Sequence, residues 1–292
     1  MGTQMGPKGP VAVVTGASRG AGRGIALALG SHGYTVYVSG RSESEGDADL
    51  PGTIHSTARD VTAAGGTGIA VACDHADDAQ VAALFSQVKA DHGRVDVLVN
   101  NACAIPDELV QPGGFWEKPL SMLRILDVGM RSHYVASWHA VPLMLPQGSG
   151  LIVNTSSFGG HCYMHGPAYG AGKAAVDKMA HDMAVELRPH GIAAVSLWMG
   201  LLRTERTERA LSDPELAKHY AHLLETMETP QLSGHVIHAL AQDPQRMERS
   251  GRIWIGAELA QEYGIRDEGG RQPPSHRPML GDPRVFGSAA IQ

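Results

Sequence analysis

Tyr169 and Lys173 stand four residues apart in the stretch AYGAGKA (168–174), a spacing that puts both side chains on one face of a helix. Gly170, Ala171 and Gly172 leave that face uncrowded, so another molecule can lie against the phenol and the ammonium. A weak acid beside a fixed cation suits proton transfer. The pair by itself is a common accident of sequence, and its surroundings decide what it means.

Those surroundings alternate between short apolar runs and amphipathic stretches. VAVVT (11–15) is a strand that ends at a glycine cluster, followed by a helical pattern through Ile25, Ala26 and Leu29 that stops at Gly33. TVYVS (35–39), TGIAVAC (67–73) and RVDVLVN (94–100) are further strands, with helices at about 53–64 and 77–91 between them. GLIVNTS (150–156) follows a long helix over about 117–145, IAAVSLW (192–198) follows one over about 167–188, and GRIWIG (251–256) is the last strand. Seven strands, each reached through a helix, predict one parallel sheet covered on both faces, a single doubly wound α/β domain of Rossmann type. That domain spans residues 1–265, with a lid over about 201–230. From 266 to 292 the chain is rich in Pro, Gly and Arg (RDEGGRQPPSHRPMLGDPRVFG), which predicts an extended arm that wraps a neighbouring subunit or stays loose.

The first turn, TGASRGAG, places Gly16, Ser18, Arg19, Gly20, Ala21 and Gly22 between the first strand and the first helix. Glycines there let the backbone pass close to a pyrophosphate, whose charge the helix N-terminus stabilises. The second strand ends VSGRS, with Gly40 and Arg41 where a carboxylate would accept the ribose hydroxyls of NAD. A guanidinium pairs with a 2′-phosphate, and Arg19 adds a second cation, so the expected cofactor is NADP(H). In an open parallel sheet the ligand crevice lies at the strand C-termini. Ser156 and Ser157, at the end of the fifth strand, therefore meet Tyr169, Lys173 and the nicotinamide there.

Through TGASRGAG, NNA (100–102), the serine of the fifth strand and the Tyr-x-x-x-Lys pair, the sequence resembles the short-chain dehydrogenase/reductase family over about residues 10–260. GFWEKPLSM, SHYVASWHAVPLM, VSLWMGLLRTE and ELAQEYGIRDEGGR narrow the likeness to a branch linked to NADPH-dependent reduction of carbonyls in steroids and foreign compounds. The resemblance implies that Tyr169 gives a proton to the substrate oxygen in reduction. An ordinary tyrosine titrates near ~10, so the reverse role needs the cation of Lys173, which also holds the nicotinamide ribose. Ser157 holds the carbonyl oxygen; Ser156 competes by spacing, but SFGG matches the family's serine-x-x-glycine wording. The resemblance further places Asn100, Asn101 and Ala102 around the cofactor, Asp74 at the adenine and Thr204 at the nicotinamide end, each with the alternative of a loop-capping role.

Three positions depart from the family pattern. Cys103 stands where Asn-Asn-Ala-Gly has glycine, Met199 precedes Gly200 in place of proline, and Asp127 stands where an asparagine joins the catalytic group through a water. An ionised carboxylate at that place accepts hydrogen bonds but donates none. The expected active group is Ser157, Tyr169 and Lys173, with Asp127 either joining their proton route or turning to a backbone amide or solvent and leaving the site untouched. These departures leave a second reading open, a catalytically silent NADPH-binding redox sensor or scaffold.

With 43 % hydrophobic and 18 % charged residues and 36 glycines, the composition is that of a loop-rich globular protein rather than a disordered or fibrous one. A formal charge of −6, with Lys and Arg scattered, gives no field for nucleic acid. Cys73, Cys103 and Cys162 lack disulfide or metal spacing, and no apolar run approaches the ~20 residues that span a bilayer. The sequence thus predicts a cytoplasmic homodimer or homotetramer acting on a small-molecule carbonyl or alcohol, with no nucleic-acid, membrane or metal partner; His161, Cys162 and His165 line the substrate pocket.

Overall fold

A computed structural model describes residues 9–289, with the side chains of residues 216, 219, 220 and 222 left undescribed. Residues 1–8 and 290–292, the ends of the expected domain and arm, lie outside the described residues.

The strands are β1 (Val11–Val14), β2 (Thr35–Gly40), β3 (Thr67–Ala72), β4 (Val97–Asn100), β5 (Gly150–Ser156), β6 (Ile192–Trp198) and β7 (Ile253–Ile255). They form one parallel sheet in the order β3-β2-β1-β4-β5-β6-β7. Between them run α1 (Gly20–Ser31), α2 (Ile54–Ala63), α3 (Asp78–Asp91), α4 (Arg124–Leu126), α5 (Ser132–Met144), α6 (Pro167–Leu187), α7 (Glu205–Leu211), α8 (Pro214–Tyr220), α9 (Pro230–Gln242), α10 (Arg246–Arg249), α11 (Gly256–Glu262) and α12 (Arg277–Leu280).

The strict period of two in each strand builds two cores. Ala12, Val14, Val36, Val38, Val97, Val99, Leu151 and Val153 face α1, α2 and α9, while Val11, Val13, Leu98, Ile152, Ile192 and Ala194 face α3, α5 and α6. With both faces covered, the central strands read as continuous apolar runs. The strand order reverses between β1 and β4, and the crevice at their C-terminal ends is where the functional residues gather.

The long helix expected over 117–145 is broken. A 3₁₀ turn (Leu120–Leu123) and α4 lead into a kink, where Val128 (φ −109, ψ 96) and Gly129 (φ 138, ψ −14) leave helical geometry before α5 begins. The cause is local. The Ala104 amide draws the Val128 carbonyl out of the helix at 2.7 Å, and the Gly129 amide donates to Ser132 Oγ at 3.1 Å. A φ of 138 is open to glycine and closed to other residues, so Gly129 makes the kink possible.

Segment 201–230 folds as α7, α8 and a 3₁₀ turn (Ala221–Thr226). Its two ends are pinned together at the root. The Glu228 amide donates to the Leu201 carbonyl and the Arg203 amide to the Glu228 carbonyl, both at 2.8 Å. The described part of the arm packs on its own chain: Arg277 pairs with Glu258, Asp267 is buried, and Leu280 and Phe286 cover the cluster of Phe158, Trp198, Ile253 and Ile255.

Candidate active site

β5 ends at Ser156, and alternation along the strand sends consecutive serines to different places. Ser156 is buried, its hydroxyl 3.5 Å from the Lys173 carbonyl. Ser157 turns toward the crevice, with its Oγ 2.8 Å from the Tyr169 hydroxyl. The structure therefore brings Ser157, and not Ser156, to the phenol. Gly159 makes this approach possible, because a Cβ there would stand 2.5 Å from the Tyr169 ring.

Tyr169 and Lys173 lie one turn apart on α6, as their spacing requires. Lys173 is buried at 8 % exposure, its Nζ 5.7 Å from the centre of the Tyr169 ring and donating to the Thr155 carbonyl at 3.2 Å. One turn further, Asp177 is buried and accepts from Ser196 Oγ at 2.5 Å and from Trp198 Nε1 at 3.0 and 3.1 Å. Burial pushes its carboxyl above the ordinary range, against the hydrogen bonds and the nearby Lys173 charge. Its distance of four residues from Lys173 was the one sequence signal that could have found it.

Asp127 does not join this group. Leu126 packs toward Gly172 of α6, so the next residue in the turn points away; Asp127 is exposed and lines a surface depression with Ala76, Asp77, Asp78 and Arg131. The residues of the kink that turn inward are Gly129, Ser132 and His133, all buried. His133 Nε2 lies 3.3 Å from the Ala102 carbonyl, and its Nδ1 has no partner among the described residues. Burial first, and the Lys173 charge second, push this imidazole down to about 3 and keep it neutral.

The glycine loop meets the fourth strand from below. Gly16 (φ 65) sits so close to Ala102 that a Cβ would stand 2.7 Å from its Cα. Asn101 Nδ2 donates to the carbonyls of Thr15 at 2.9 Å and Gly16 at 3.0 Å, and the amides of Asn101 and Ala102 both donate to Thr15 Oγ1. Asn101 and Ala102 thus brace the loop. Asn100 is buried deeper, donating to Ser137 Oγ and Asn154 Oδ1. Ser18 is buried within the turn, and on the first turn of α1 Gly22 is buried and Ala21 half-buried.

Arg19 reaches across to the 42–52 loop, donating to Ser42 Oγ at 2.9 Å and to the carbonyls of Pro51 and Gly52. Arg41 stands exposed beside it at the end of β2. Asp74, after β3, is half-buried and caps a local turn by accepting from the Ala76 amide at 3.0 Å. Thr204 is the N-cap of α7, paired with Thr207 in a capping box. Its hydroxyl is therefore engaged in capping α7.

Over the Tyr169 side of the crevice, Leu109, Met122 and Ile125 form an apolar cluster with Cys103, Leu126 and Ala168 against it. His165 closes the other side, its ring 5.1 Å from that of Tyr169 and edge-on at 88°. It is the one described non-glycine residue with positive φ (57). No cluster of metal-ligating side chains occurs among the described residues, and no described helix is long and apolar enough to cross a membrane.

A glycine turn, a hydroxyl against a phenol and a buried lysine at the C-terminal edge of a parallel sheet match a family pattern, and the family model described as short chain dehydrogenase covers residues 10–215. The chain belongs to the short-chain dehydrogenase/reductase family. It is similar to Dehydrogenase/reductase SDR family member 1 of Homo sapiens, 44 % identical over 273 residues, 90 % of this chain and 84 % of that protein. A 3beta-hydroxysteroid dehydrogenase of Mediterraneibacter gnavus is 30 % identical over 77 % of this chain and 79 % of its own length. Among solved structures, a short-chain type dehydrogenase/reductase from Mycobacterium marinum superposes with a TM-score of 0.70 at 28 % identity, over 85 % of this chain and 94 % of that one. As a short-chain dehydrogenase/reductase, the chain is an oxidoreductase that works with a nicotinamide cofactor on a small molecule.

The loop residues fit such a cofactor. The Gly20 amide, at the N-terminus of α1, already takes an anionic oxygen at 2.9 Å, from Glu205. The space before Gly20 is open: a Cβ there would meet nothing nearer than Thr204 at 3.9 Å and Glu205 at 4.0 Å. An amide at a helix N-terminus that already binds an anionic oxygen, beside a glycine without a side chain, is what a pyrophosphate requires.

Proposed function

We propose that this protein is an NADP(H)-dependent oxidoreductase that reduces the carbonyl of a small to medium apolar substrate, or oxidises the corresponding alcohol. The observation that carries the reading is the 2.8 Å contact of Ser157 Oγ with the Tyr169 hydroxyl above the buried Lys173. When bound, the nicotinamide supplies or accepts the hydride. Ser157 and Tyr169 present two O–H groups to one point, where a carbonyl oxygen accepts from both. Tyr169 then releases its proton to that oxygen as negative charge develops there, and the buried Lys173 stabilises the phenolate left behind. Alcohol oxidation runs the same transfers backwards.

Arg19 and Arg41, with Gly40 in place of a carboxylate, support NADP(H) over NAD(H). Gly16, Ser18, Gly20, Ala21 and Gly22 would hold the pyrophosphate, Asp74, Asn101 and Ala102 the adenosine side and the loop behind it, and Thr204 the nicotinamide end. The apolar cluster at Leu109, Met122 and Ile125 supports an apolar substrate. A cytoplasmic location and a homodimeric or homotetrameric state belong to the same proposal. Three unpaired thiols suit a reducing compartment, and Tyr134 and Trp138 expose an aromatic face on α5.

The test is to add NADPH with a panel of diketones, quinones and hydroxysteroid-type ketones and to follow nicotinamide absorbance. Turnover is expected with at least the compact apolar carbonyls. Tight cofactor binding without turnover anywhere would replace this reading with that of a silent cofactor-binding sensor.

A further inference from the structure

Glu205, the first residue of α7, has no assigned part in the reaction, yet its carboxylate crosses from the lid to the glycine loop and accepts the Gly20 amide proton at 2.9 Å, a contact between residues 185 positions apart. The N-terminal turn of α1 carries no acidic residue of its own. The partial positive charge of that helix end therefore meets its negative partner from another element. Glu205 also lies within electrostatic reach of the Arg19 guanidinium, the other cation of the loop.

We infer that Glu205 sets cofactor affinity by competing, as an intramolecular anion, with the pyrophosphate for the α1 N-terminus. The inference rests on the proposed NADP(H) site. Each anion satisfies the same orphan donor, and two negative groups at one amide repel each other, so the cofactor enters only as Glu205 leaves. Because Glu205 opens α7, and Thr204 before it is the cap of that helix, displacement of the carboxylate moves the lid root. Binding of the phosphate end is thereby coupled to the position of the segment over the nicotinamide end, the order expected of a lid that responds to its first ligand.

The experiment compares the unaltered protein, Glu205→Gln and Glu208→Gln for NADPH dissociation constant by nicotinamide fluorescence, and for hydrogen exchange of the 200–212 segment without cofactor. Glu208 lies on the same helix, exposed and with no side-chain hydrogen bond or ion pair to the loop among the described residues, and controls for the loss of one negative charge. Removing a charge-assisted hydrogen bond from the competing state should tighten NADPH binding by roughly tenfold in Glu205→Gln and by no more than about twofold in Glu208→Gln. Exchange in the 200–212 segment should rise only in Glu205→Gln. Equal affinities in all three proteins, equal tightening in both variants, or weaker binding in Glu205→Gln would each overturn the competition. Failure of the unaltered protein and both variants to bind NADPH would instead overturn the cofactor reading on which the inference stands.

Discussion

Replacing Glu228 by glutamine should flatten one part of the dependence of stability on pH. Glu228 is 1 % exposed where the two ends of segment 201–230 meet; one carboxyl oxygen accepts from the Gly200 amide at 3.2 Å, and the other has no partner among the described residues. Burial pushes its carboxyl up from 4.5 to about 7, with the nearby Asp267 adding repulsion and the Gly200 bond opposing. A rise of this size, at about 1.4 kcal/mol per unit, corresponds to about 3 kcal/mol. The sign follows from proton counts. Below pH 4.5 both folded and unfolded states hold the proton and the group has no effect. Between 4.5 and 7 the unfolded chain releases it while the folded chain keeps it, so stability falls as pH rises; above 7 the loss is complete. Urea unfolding of Glu228→Gln and the unaltered protein at intervals from pH 4.5 to 7.5 should show the difference between them growing by about 3 kcal/mol in favour of the variant. Parallel curves would mean that Glu228 is ionised and solvated at the lid root, and would refute the reasoning.

Tyr169→Phe should keep NADPH affinity within about twofold while lowering turnover by roughly 10²–10⁴-fold, since the ring stays and the proton donor goes; a fluorescence titration beside steady-state rates checks both. Arg41→Asp should move the ratio of catalytic efficiencies from NADPH toward NADH by tenfold or more, and equal efficiencies in the unaltered protein would contradict the assignment of Arg41 to the 2′-phosphate. Asp127→Asn should leave the pH profile of alcohol oxidation superimposable on that of the unaltered protein, because the carboxylate faces Arg131 at the surface. Gly129→Ala should cost roughly 1–3 kcal/mol in denaturant unfolding, from a left-handed φ and a Cβ placed 3.0 Å from Cys103 Sγ.

The sheet was legible because a strand buried on both faces writes itself as an unbroken apolar run, as VAVV and LIVN do between glycine or polar turns. The phenol and lysine were legible for a similar reason, four residues on a helix being a fixed geometry. Asp127 was a candidate through its match to the family's asparagine; the Ala104–Val128 hydrogen bond and the left-handed Gly129 break the helix expected over 117–145, and the Asp127 side chain stands at the surface. Such a bond joins residues from two elements, and no local pattern announces it. The same holds for Glu205 and Glu228, whose significance comes from partners far along the chain or from burial. Thr204, for which the sequence left a capping role open beside that of a cofactor ligand, carries a readable capping signal, a hydroxyl three residues before another.

Phe158, directly after Ser157, packs tilted against Trp198 at 4.9 Å and edge-on to His276 at 6.3 Å, and Gly281 lies so close to His161 that a Cβ there would meet its ring. The arm is thus a brace behind the loop that joins the serine to the tyrosine. A substitution at His276 or Gly281 acts on that loop through Phe158 or His161, without crossing the sheet or touching Tyr169 or Lys173. The tail is therefore a place from which the seat of Ser157 can be reset while Tyr169 and Lys173 stay fixed on α6.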